Sequence, residues 1–347
     1  MASPTRATVR WVAGSALATI LLATLSACGV ATGSSRTTLI LYNGQHPQTT
    51  DSLVSAFERK TGIQVEVRSN DEDVLADQIV EEGAASPADL IYTENSPALE
   101  YLQGKKLLAA VPRSTLALVP SKYSSPASEW VGVSARVSVM VYNTHLLSAS
   151  QLPTSVMSLA DPRWRGLLAI APGETDFQPI ITSIARTYGK AAALNWLEGV
   201  KANAEQHMYP DNETITARVN SGQAAIGIIN HYYWYRLKAE IGASQMHSAI
   251  AFFAPRNAGY VLDVSGAAVL KSSTHKAAAD EFLAFLVSRQ GQEFLAHSDS
   301  FEYPLGSGVV TARDLRPFAS LQPAALTISD LGDGAEAVAL LHQAQLL

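Results

Sequence analysis

The chain has little cysteine and little charge. Cys28 is the only cysteine among 347 residues, which excludes an internal disulfide and a metal site built from several cysteines. Charged residues make up 16% of the sequence, a low fraction for a soluble protein. Acidic residues outnumber basic ones by 31 to 25, so the basic surface typical of nucleic-acid binding is missing. This balance disfavours a polyanionic partner and weakly attracts a cation.

The uncharged stretch near the N terminus, residues 11–25, is too short for a comfortable membrane span of about 20 residues. It follows two arginines and leads into Leu-Ser-Ala-Cys at residues 25–28, the charged, apolar and small-residue order of a secretory signal. This ending resembles the lipobox of bacterial lipoproteins, which implies that Cys28 becomes the lipidated first residue. We therefore expect residues 1–27 to be a lipoprotein signal peptide and residues 28–36 to be a tether.

The rest of the chain alternates between strand and helix patterns. In residues 38–92 the strand–helix–strand–helix order predicts a parallel sheet with helices on both faces. One predicted helix carries Leu53, Val54 and Phe57 on one face and stops at Gly62, and another runs from Glu213 to Val219 with Asn212 as its N-cap. Strands are predicted at residues 38–42, 64–68, 88–92, 137–142, 167–171 and 224–230.

A chain of this length, with 47% hydrophobic residues, suggests two domains of roughly 100–200 residues each. No segment rich in proline, glycine and serine separates two autonomous halves, and the apolar residues 259–270 are long enough to cross back to the first unit. This predicts an α/β protein with two lobes joined by crossing strands. The lobes are predicted to comprise residues 37–136 plus 263–313, and residues 137–262 plus 314–347.

Three candidate binding positions follow predicted strands: His46, Glu94 and the pair Tyr232-Tyr233. In open α/β sheets, ligands bind just beyond the carboxyl ends of strands. Taken singly, each position also has a structural interpretation, as a surface histidine, a helix-capping acid and packed aromatic rings. Their joint placement at strand ends favours a metal site.

Imidazole, carboxylate and phenolate ligands suit a hard or borderline cation. A free phenol titrates near pH ~10, so it becomes an anionic ligand only where a strongly Lewis-acidic cation displaces its proton. Two phenolates and one carboxylate carry three negative charges, which neutralise a trivalent ion. Adjacent tyrosines reach one ion only where the chain is irregular, such as a strand-to-helix junction. The sequence therefore predicts a ferric iron site.

Several motifs of this chain resemble the bacterial periplasmic ferric-ion-binding proteins, in the same order along the chain from about residue 38 to residue 310. They are Tyr-Asn-Gly-Gln-His at residues 42–46, Thr-Gly-Ile at 61–63, Glu-Glu-Gly at 81–83, Ser-Pro-Ala-Asp at 86–89, Asn-His-Tyr-Tyr-Trp at 230–234, Ser-Gly-Ala-Ala-Val-Leu-Lys-Ser-Ser at 265–273 and Glu-Tyr-Pro-Leu at 302–305. The first and fifth of these matches are the specific ones.

The resemblance implies a two-lobed Venus flytrap of the type II periplasmic-binding-protein architecture. It implies a monomer that is no enzyme, that binds Fe(III) outside the cytoplasm, and that delivers the ion to the permease and ATPase of an ABC importer. By motif, the iron ligands of that family fall on His46, Glu94, Tyr232 and Tyr233. With the lipid anchor, the expected location is outside the cytoplasm, at the periplasmic face of the cell membrane.

One segment departs from the family's pattern. The family completes the iron's coordination with a small anion, usually phosphate, and water, and holds the anion with a Ser-Gly-Ala turn after a proline. Here Pro172 is followed by a glycine and then by Glu174, Thr175 and Asp176, whose two carboxylates would repel phosphate. Two other anion-contacting positions are retained, as Asn212 and Asn230. We expect Glu174 or Asp176 to supply the missing oxygen, or to favour water or a different small anion.

Other functions remain open from the residues alone. A binding protein for a polyamine, thiamine or a phosphonate would stack tyrosine and tryptophan on an organic ligand. A secreted zinc hydrolase would use His46 and Glu94 with His231 as a third ligand, although the chain has neither an HExxH nor a G-x-S-x-G motif. A purely structural surface lipoprotein would need no convergence of these residues.

Overall fold

The computed structural model of the chain describes residues 37–311 and 314–347. The predicted signal peptide, Cys28 and the predicted tether lie outside these ranges. Strands in the described part of the chain are β1 Thr38–Gly44, β2 Gln64–Ser69, β3 Leu90–Thr93, β4 Val131–Asn143, β5 Leu168–Ala169, β6 Ile226–Asn230, β7 Ser248–Ala251, β8 Leu262–Val269 and β9 Tyr303–Pro304.

The α-helices of the described residues alternate with these strands. They are α1 Pro47–Thr61, α2 Glu72–Glu82, α3 Ser96–Gly104, α4 Arg113–Leu116, α5 Gln178–Tyr188, α6 Lys190–Ala204, α7 Asn212–Asn220, α8 His231–Ile241, α9 Lys276–Val287, α10 Arg289–Ala296 and α11 Ala335–Gln343. None of the helices in the described ranges combines the length and the apolar character that a membrane crossing requires.

The strands of the described residues pair in the order β2-β1-β3-β8-β4-β6-β5, with β7 and β9 also paired to β4. The parallel arrangement predicted for the first three strands is confirmed, because β1 is parallel to both β2 and β3. In contrast, β8 is antiparallel to both β3 and β4. β7 pairs with residues 140–143 of β4, and β8 continues in the same direction along residues 131–137 of that strand. The chain therefore reaches β8 without the helical crossover that a parallel neighbour requires.

The long strand β4 joins two groups of strands. Residues 131–137 pair with β8, whereas residues 138–142 pair with β6 and residues 140–143 with β7. The change of partner falls at residues 137 and 138, next to the predicted lobe boundary at 136 and 137. The division into two lobes stays a prediction, and the pairing of β4 and β8 supports strands that cross between them.

Apolar side chains at helical spacing pack the helices onto the sheet. In α1, Leu53, Val54 and Phe57 are buried as predicted, and the Phe57 ring contacts the Phe282 ring of α9 at a centroid distance of 4.9 Å. Gly62 ends α1 in the left-handed conformation, with φ 77°, and its N–H donates to the carbonyl of Glu58. Only glycine adopts that conformation readily, which is why the sequence located this helix end.

The predicted cap of α7 is wrong by one residue. Asp211 is the N-cap, and its carboxylate accepts a hydrogen bond from the Thr214 N–H. Aspartate and asparagine are about equally good N-caps, so residue type alone could not separate them. Asn212 is instead a buried first residue of the helix, and its side chain is free to serve the binding site.

Candidate metal site

The strand ends bring the four predicted ligands to one place. His46 is the N-cap of α1 after β1, and Glu94 follows β3 directly. Tyr232 and Tyr233 lie in the first turn of α8, which begins as soon as β6 ends at Asn230. This strand-to-helix junction is the irregular backbone that two adjacent phenols need in order to converge. Both tyrosines and Glu94 are buried.

The polar atoms of these four side chains form one cluster. His46 Nε2 lies 2.9 Å from Glu94 Oε1 and 3.4 Å from the Tyr232 hydroxyl oxygen. The Tyr233 hydroxyl donates to Glu94 Oε1 at 3.2 Å, and the Tyr232 hydroxyl donates to the same oxygen. Neighbouring ligands of an octahedral ion at about 2.1 Å lie about 3 Å apart. The spacing of these atoms therefore matches that of ligands around one ion.

The pKa shifts at this cluster indicate a deficit of positive charge. Burial, together with the negative charges of Asp176 and Glu94, raises the pKa of Tyr232 and of Tyr233 well above the ordinary value. Burial alone would raise the pKa of Glu94, but His46 and Arg136 hold it below its usual range. Negative groups that are packed together without enough cations are stabilised when a metal ion binds among them.

A second layer of polar groups fixes Glu94. Glu72 is buried and accepts hydrogen bonds from the backbone N–H groups of Glu94 and Asn95, at 2.7 and 2.8 Å. It also accepts from the Asn95 side-chain amide. Burial and the nearby Glu94 raise the pKa of Glu72 to about 8. These hydrogen bonds fix the loop after β3, in which the Glu94 carboxylate contacts the two tyrosine hydroxyls.

Arg136 supplies a buried positive charge behind the cluster. Its guanidinium lies 3.4 Å from Glu94 Oε1, donates to Glu302 Oε1 at 2.8 Å, and stands over the Tyr232 ring at 5.2 Å. Gln45 and Ser134 also donate to the Glu302 carboxylate. Arg136 is not among the predicted site residues, although a lone arginine among the apolar residues of β4 is a usable signal. No comparable sequence signal marks Glu302.

The two acids of the segment that departs from the family's pattern, Glu174 and Asp176, lie in different surroundings. Asp176 is 5% exposed and belongs to a short 3₁₀ turn, Thr175–Phe177. Its Oδ1 accepts from the Asn95 amide at 2.8 Å, and its Oδ2 accepts from the Asn212 amide at 2.9 Å. The same Oδ2 lies 3.4 Å from the Tyr232 hydroxyl oxygen. Asp176 therefore adjoins the predicted ligands.

Glu174, Thr175 and Asn230 lie around the cluster in different ways. Glu174 is partly exposed, and burial together with the charge of Asp176 raises its pKa to about 10. The Thr175 hydroxyl accepts from the Asn95 amide at 3.3 Å. Asn230 is buried at the N-cap of α8, and no side-chain hydrogen bond within the described residues joins it to Asp176.

Two cavities meet at the cluster, and His46, Glu213 and Tyr233 line both. One, of about 500 Å³, also includes Asp71, Asp73, Glu94, Glu174 and Asp211 and no lysine or arginine. The other, of about 980 Å³, includes Arg236, whose guanidinium lies 3.8 Å from Glu213. The approach to the cluster is thus mainly acidic.

Within the described residues, no group of three or more histidine, cysteine, aspartate and glutamate side chains has an arrangement that could hold a metal ion. The cluster depends on its two phenols to reach four ligands.

His231, the third ligand expected of a zinc hydrolase, is buried and makes other contacts. Its ring stacks on Tyr303 at 4.7 Å, and its Nδ1 accepts from the Val137 N–H. Burial and the charge of Arg136 lower its pKa to about 3.

Comparison with known proteins places the chain among bacterial solute-binding proteins. Residues 85–324 match the family model of bacterial extracellular solute-binding proteins. The Fe(3+)-binding periplasmic protein of Serratia marcescens is 36% identical over 321 residues, which cover 92% of this chain and 94% of the relative. The major ferric iron-binding protein of Neisseria meningitidis serogroup A is 38% identical over 308 residues, covering 88% and 92%.

Solved structures show the same architecture. The crystal structure of iron-bound HitA from Pseudomonas aeruginosa has a TM-score of 0.85 and 40% identity, and the match covers 89% of this chain and 99% of that one. A Trichodesmium protein (IdiA, FutA) in complex with iron and citrate has a TM-score of 0.76 and 29% identity, covering 88% and 99%. The predicted type II periplasmic-binding-protein fold is confirmed. This fold and these relatives define a solute-binding protein. The chain belongs to the bacterial periplasmic ferric-ion-binding protein family.

Proposed function

We propose that this protein binds ferric iron outside the cytoplasm and delivers it to an ABC importer. The observation that carries the proposal is the convergence of His46, Glu94, Tyr232 and Tyr233 in one buried cluster. Two phenolates and a carboxylate balance the three positive charges of Fe(III), and the neutral imidazole adds a nitrogen ligand. The names of the relatives, which are ferric-iron-binding and periplasmic proteins, support the same ion.

The ligands come from both proposed lobes. His46 and Glu94 belong to residues 37–136, and the tyrosines belong to residues 137–262. An ion held by both sides binds the closed arrangement better than an open one, and so it shifts the population toward closure. We propose that β4 and β8 act as the hinge strands, because they pair with each other where the strand groups meet. The cycle is capture, closure and release, without bond-making chemistry.

Further features of the proposal follow from the family and the N terminus. The protein would act as a monomer attached to the cell membrane by a lipid on Cys28, and it would hand its ion to a permease driven by an ATPase. Water, or a small anion, would complete the coordination that the four side chains begin. Glu174, Thr175, Asp176, Asn212 and Asn230 surround the position for that group.

Two alternatives are less well supported. An organic ligand such as a polyamine would need an open aromatic face, whereas the Tyr232 and Tyr233 rings contact each other at 4.2 Å and both hydroxyls engage Glu94. A zinc hydrolase would need His231 beside His46, whereas the His231 ring stacks on Tyr303.

The proposal is tested by titrating the purified, metal-free protein with Fe(III) and, separately, with Zn²⁺, spermidine and thiamine. Ferric binding by phenolates produces a visible charge-transfer band, so we expect colour that saturates at one iron per protein. The other ligands should bind weakly and without a visible band. Saturable binding of spermidine or thiamine together with a colourless ferric titration would contradict the proposal.

A further inference from the structure

We propose that Glu72 is a positioning residue for iron binding, which holds the loop that carries Glu94 in its binding geometry before the ion arrives. The inference rests on the ferric site proposed above, and it assigns a role to a side chain outside the four proposed ligands. Glu72 is the first residue of α2 and is 3% exposed. A glutamate is seldom buried to this degree unless its oxygens are paired.

The Glu72 carboxylate binds the backbone of the loop after β3. This strand ends at Thr93, so the next two N–H groups need acceptors outside the sheet. Glu72 Oε2 accepts from both, at 2.7 Å from the Glu94 nitrogen and 2.8 Å from the Asn95 nitrogen. Glu72 Oε1 accepts from the Asn95 side-chain amide at 3.1 Å. These three hydrogen bonds fix the direction in which the Glu94 side chain leaves the backbone.

Glu72 is itself fixed against β1, the strand that leads to His46. A Cβ atom added at Gly44 would lie 2.5 Å from the Glu72 Cβ and 2.8 Å from the Glu72 Cα. Only a glycine allows so close an approach of strand and helix. Gly44 is the last residue of β1, two residues before His46. Glu72 therefore contacts both the strand end before His46 and the loop that carries Glu94.

Asp73 provides a matched control for the effect of charge alone. It is the next residue of α2, it is exposed, and it lines the same cavity of about 500 Å³ as Glu72 and Glu94. Its carboxylate accepts from the Val74 N–H, and no hydrogen bond of the described residues joins it to the loop after β3. Replacing either residue removes an acid from the cavity, whereas only Glu72 holds the loop.

The experiment compares the full protein as wild type, Glu72→Ala, Glu72→Gln and Asp73→Ala. Competition with citrate measures the affinity for Fe(III), and urea unfolding measures the stability of the metal-free protein separately. Glu72→Ala should bind iron about 10 to 100 times more weakly, as is usual when the partner of a metal ligand is lost. Glu72→Gln keeps a carbonyl oxygen for the two N–H groups and should stay within about threefold of wild type. Asp73→Ala should also stay within about threefold, because an exposed charge is screened by salt.

A double-mutant cycle determines whether Glu72 acts through Glu94. Glu94→Ala removes the proposed ligand, so adding Glu72→Ala to it should change the iron affinity by less than about threefold. A general structural role of Glu72 would instead lower the affinity equally in both backgrounds. All of these variants keep Tyr232 and Tyr233, so the visible band reports bound iron in each of them.

Hydrogen exchange on wild type gives a result that does not depend on how the variants fold. The N–H groups of Glu94 and Asn95 should be protected in the metal-free protein as well as in the iron-loaded protein, because Glu72 accepts from them in both.

The inference is overturned if these two amides exchange freely until iron binds, or if Glu72→Ala binds iron as tightly as wild type. It is also overturned if Asp73→Ala loses as much affinity as Glu72→Ala, or if the effect of Glu72→Ala is undiminished beside Glu94→Ala. Any of these results together with a ferric band in wild type would refute only the role of Glu72. The absence of a visible band in every protein, wild type included, would refute the ferric site.

Discussion

Replacing Tyr232 or Tyr233 by phenylalanine removes one proposed ligand oxygen and leaves the packed ring in place. The two rings contact each other at a centroid distance of 4.2 Å, and both residues are buried. The lost atom is the hydroxyl that donates to Glu94. The fold should therefore tolerate either substitution, because the apolar surface of the ring stays buried.

The expected loss of affinity follows from the number of ligands. Structural zinc sites with four ligands have binding free energies of about 10–16 kcal/mol at about pH 7, and on that scale one ligand in four accounts for about 2.5–4 kcal/mol. At about 1.4 kcal/mol for each factor of ten, either variant should bind Fe(III) about 10² to 10³ times more weakly. The visible band should weaken with each substitution and vanish in the double variant.

Competition against a graded series of citrate concentrations measures the affinity, and absorbance measures the band. Tyr303→Phe is the matched control, because Tyr303 is also buried and its hydroxyl has no hydrogen-bond partner within the described residues. It should retain both colour and affinity. If Tyr232→Phe and Tyr233→Phe each keep the colour and the affinity of wild type, the phenols are not ligands and the charge argument fails.

Burial and the nearby acids keep Tyr232 and Tyr233 protonated at neutral pH, so iron loading should release about two protons from them. Affinity should fall in acid, and a pH-stat that records no release would contradict this. Burial raises the pKa of Asp263 from 3.8 to about 6. The folded state therefore has its full stability below about pH 4, where Asp263 is protonated in both states, and loses part of it as pH rises through about 6 and the buried carboxyl ionises. In urea unfolding, Asp263→Asn should thus raise the free energy of unfolding by up to about 3 kcal/mol at pH 8 and by almost nothing at pH 4. Equal increases at the two pH values would refute the raised pKa of Asp263. Glu302→Gln weakens the ion pair of buried Arg136 and should lower the free energy of unfolding by about 3 kcal/mol in the same assay. A decrease of less than about 1 kcal/mol would show that Glu94 alone compensates the charge of Arg136.

Local patterns made much of the region from β1 to β3 predictable. The alternation at residues 64–68 and the glycine at Gly62 each act within a few residues, and β2 and the end of α1 lie where the sequence places them. The direction of β8 was not predictable in this way. It depends on which strand lies beside it, and β3 and β4 are far from it in sequence.

The four candidate ligands were predictable because each follows a strand with a clear apolar pattern. The residues that hold these ligands in place were not predictable. Glu72 reaches Glu94 and Asn95 across 22 and 23 residues of sequence, and Glu302 reaches Arg136 across 166. Whether Glu174 or Asp176 adjoins Tyr232 depends on a single 3₁₀ turn, which residue type alone does not specify.

A crystal structure of the iron-loaded protein, with anomalous diffraction recorded at the iron absorption edge, tests the proposed site most directly. We expect one strong anomalous peak, about 2 Å from His46 Nε2, from a Glu94 oxygen and from the hydroxyl oxygens of Tyr232 and Tyr233. A peak elsewhere on the protein, or iron bound by only one side of the cleft, would contradict the proposed site.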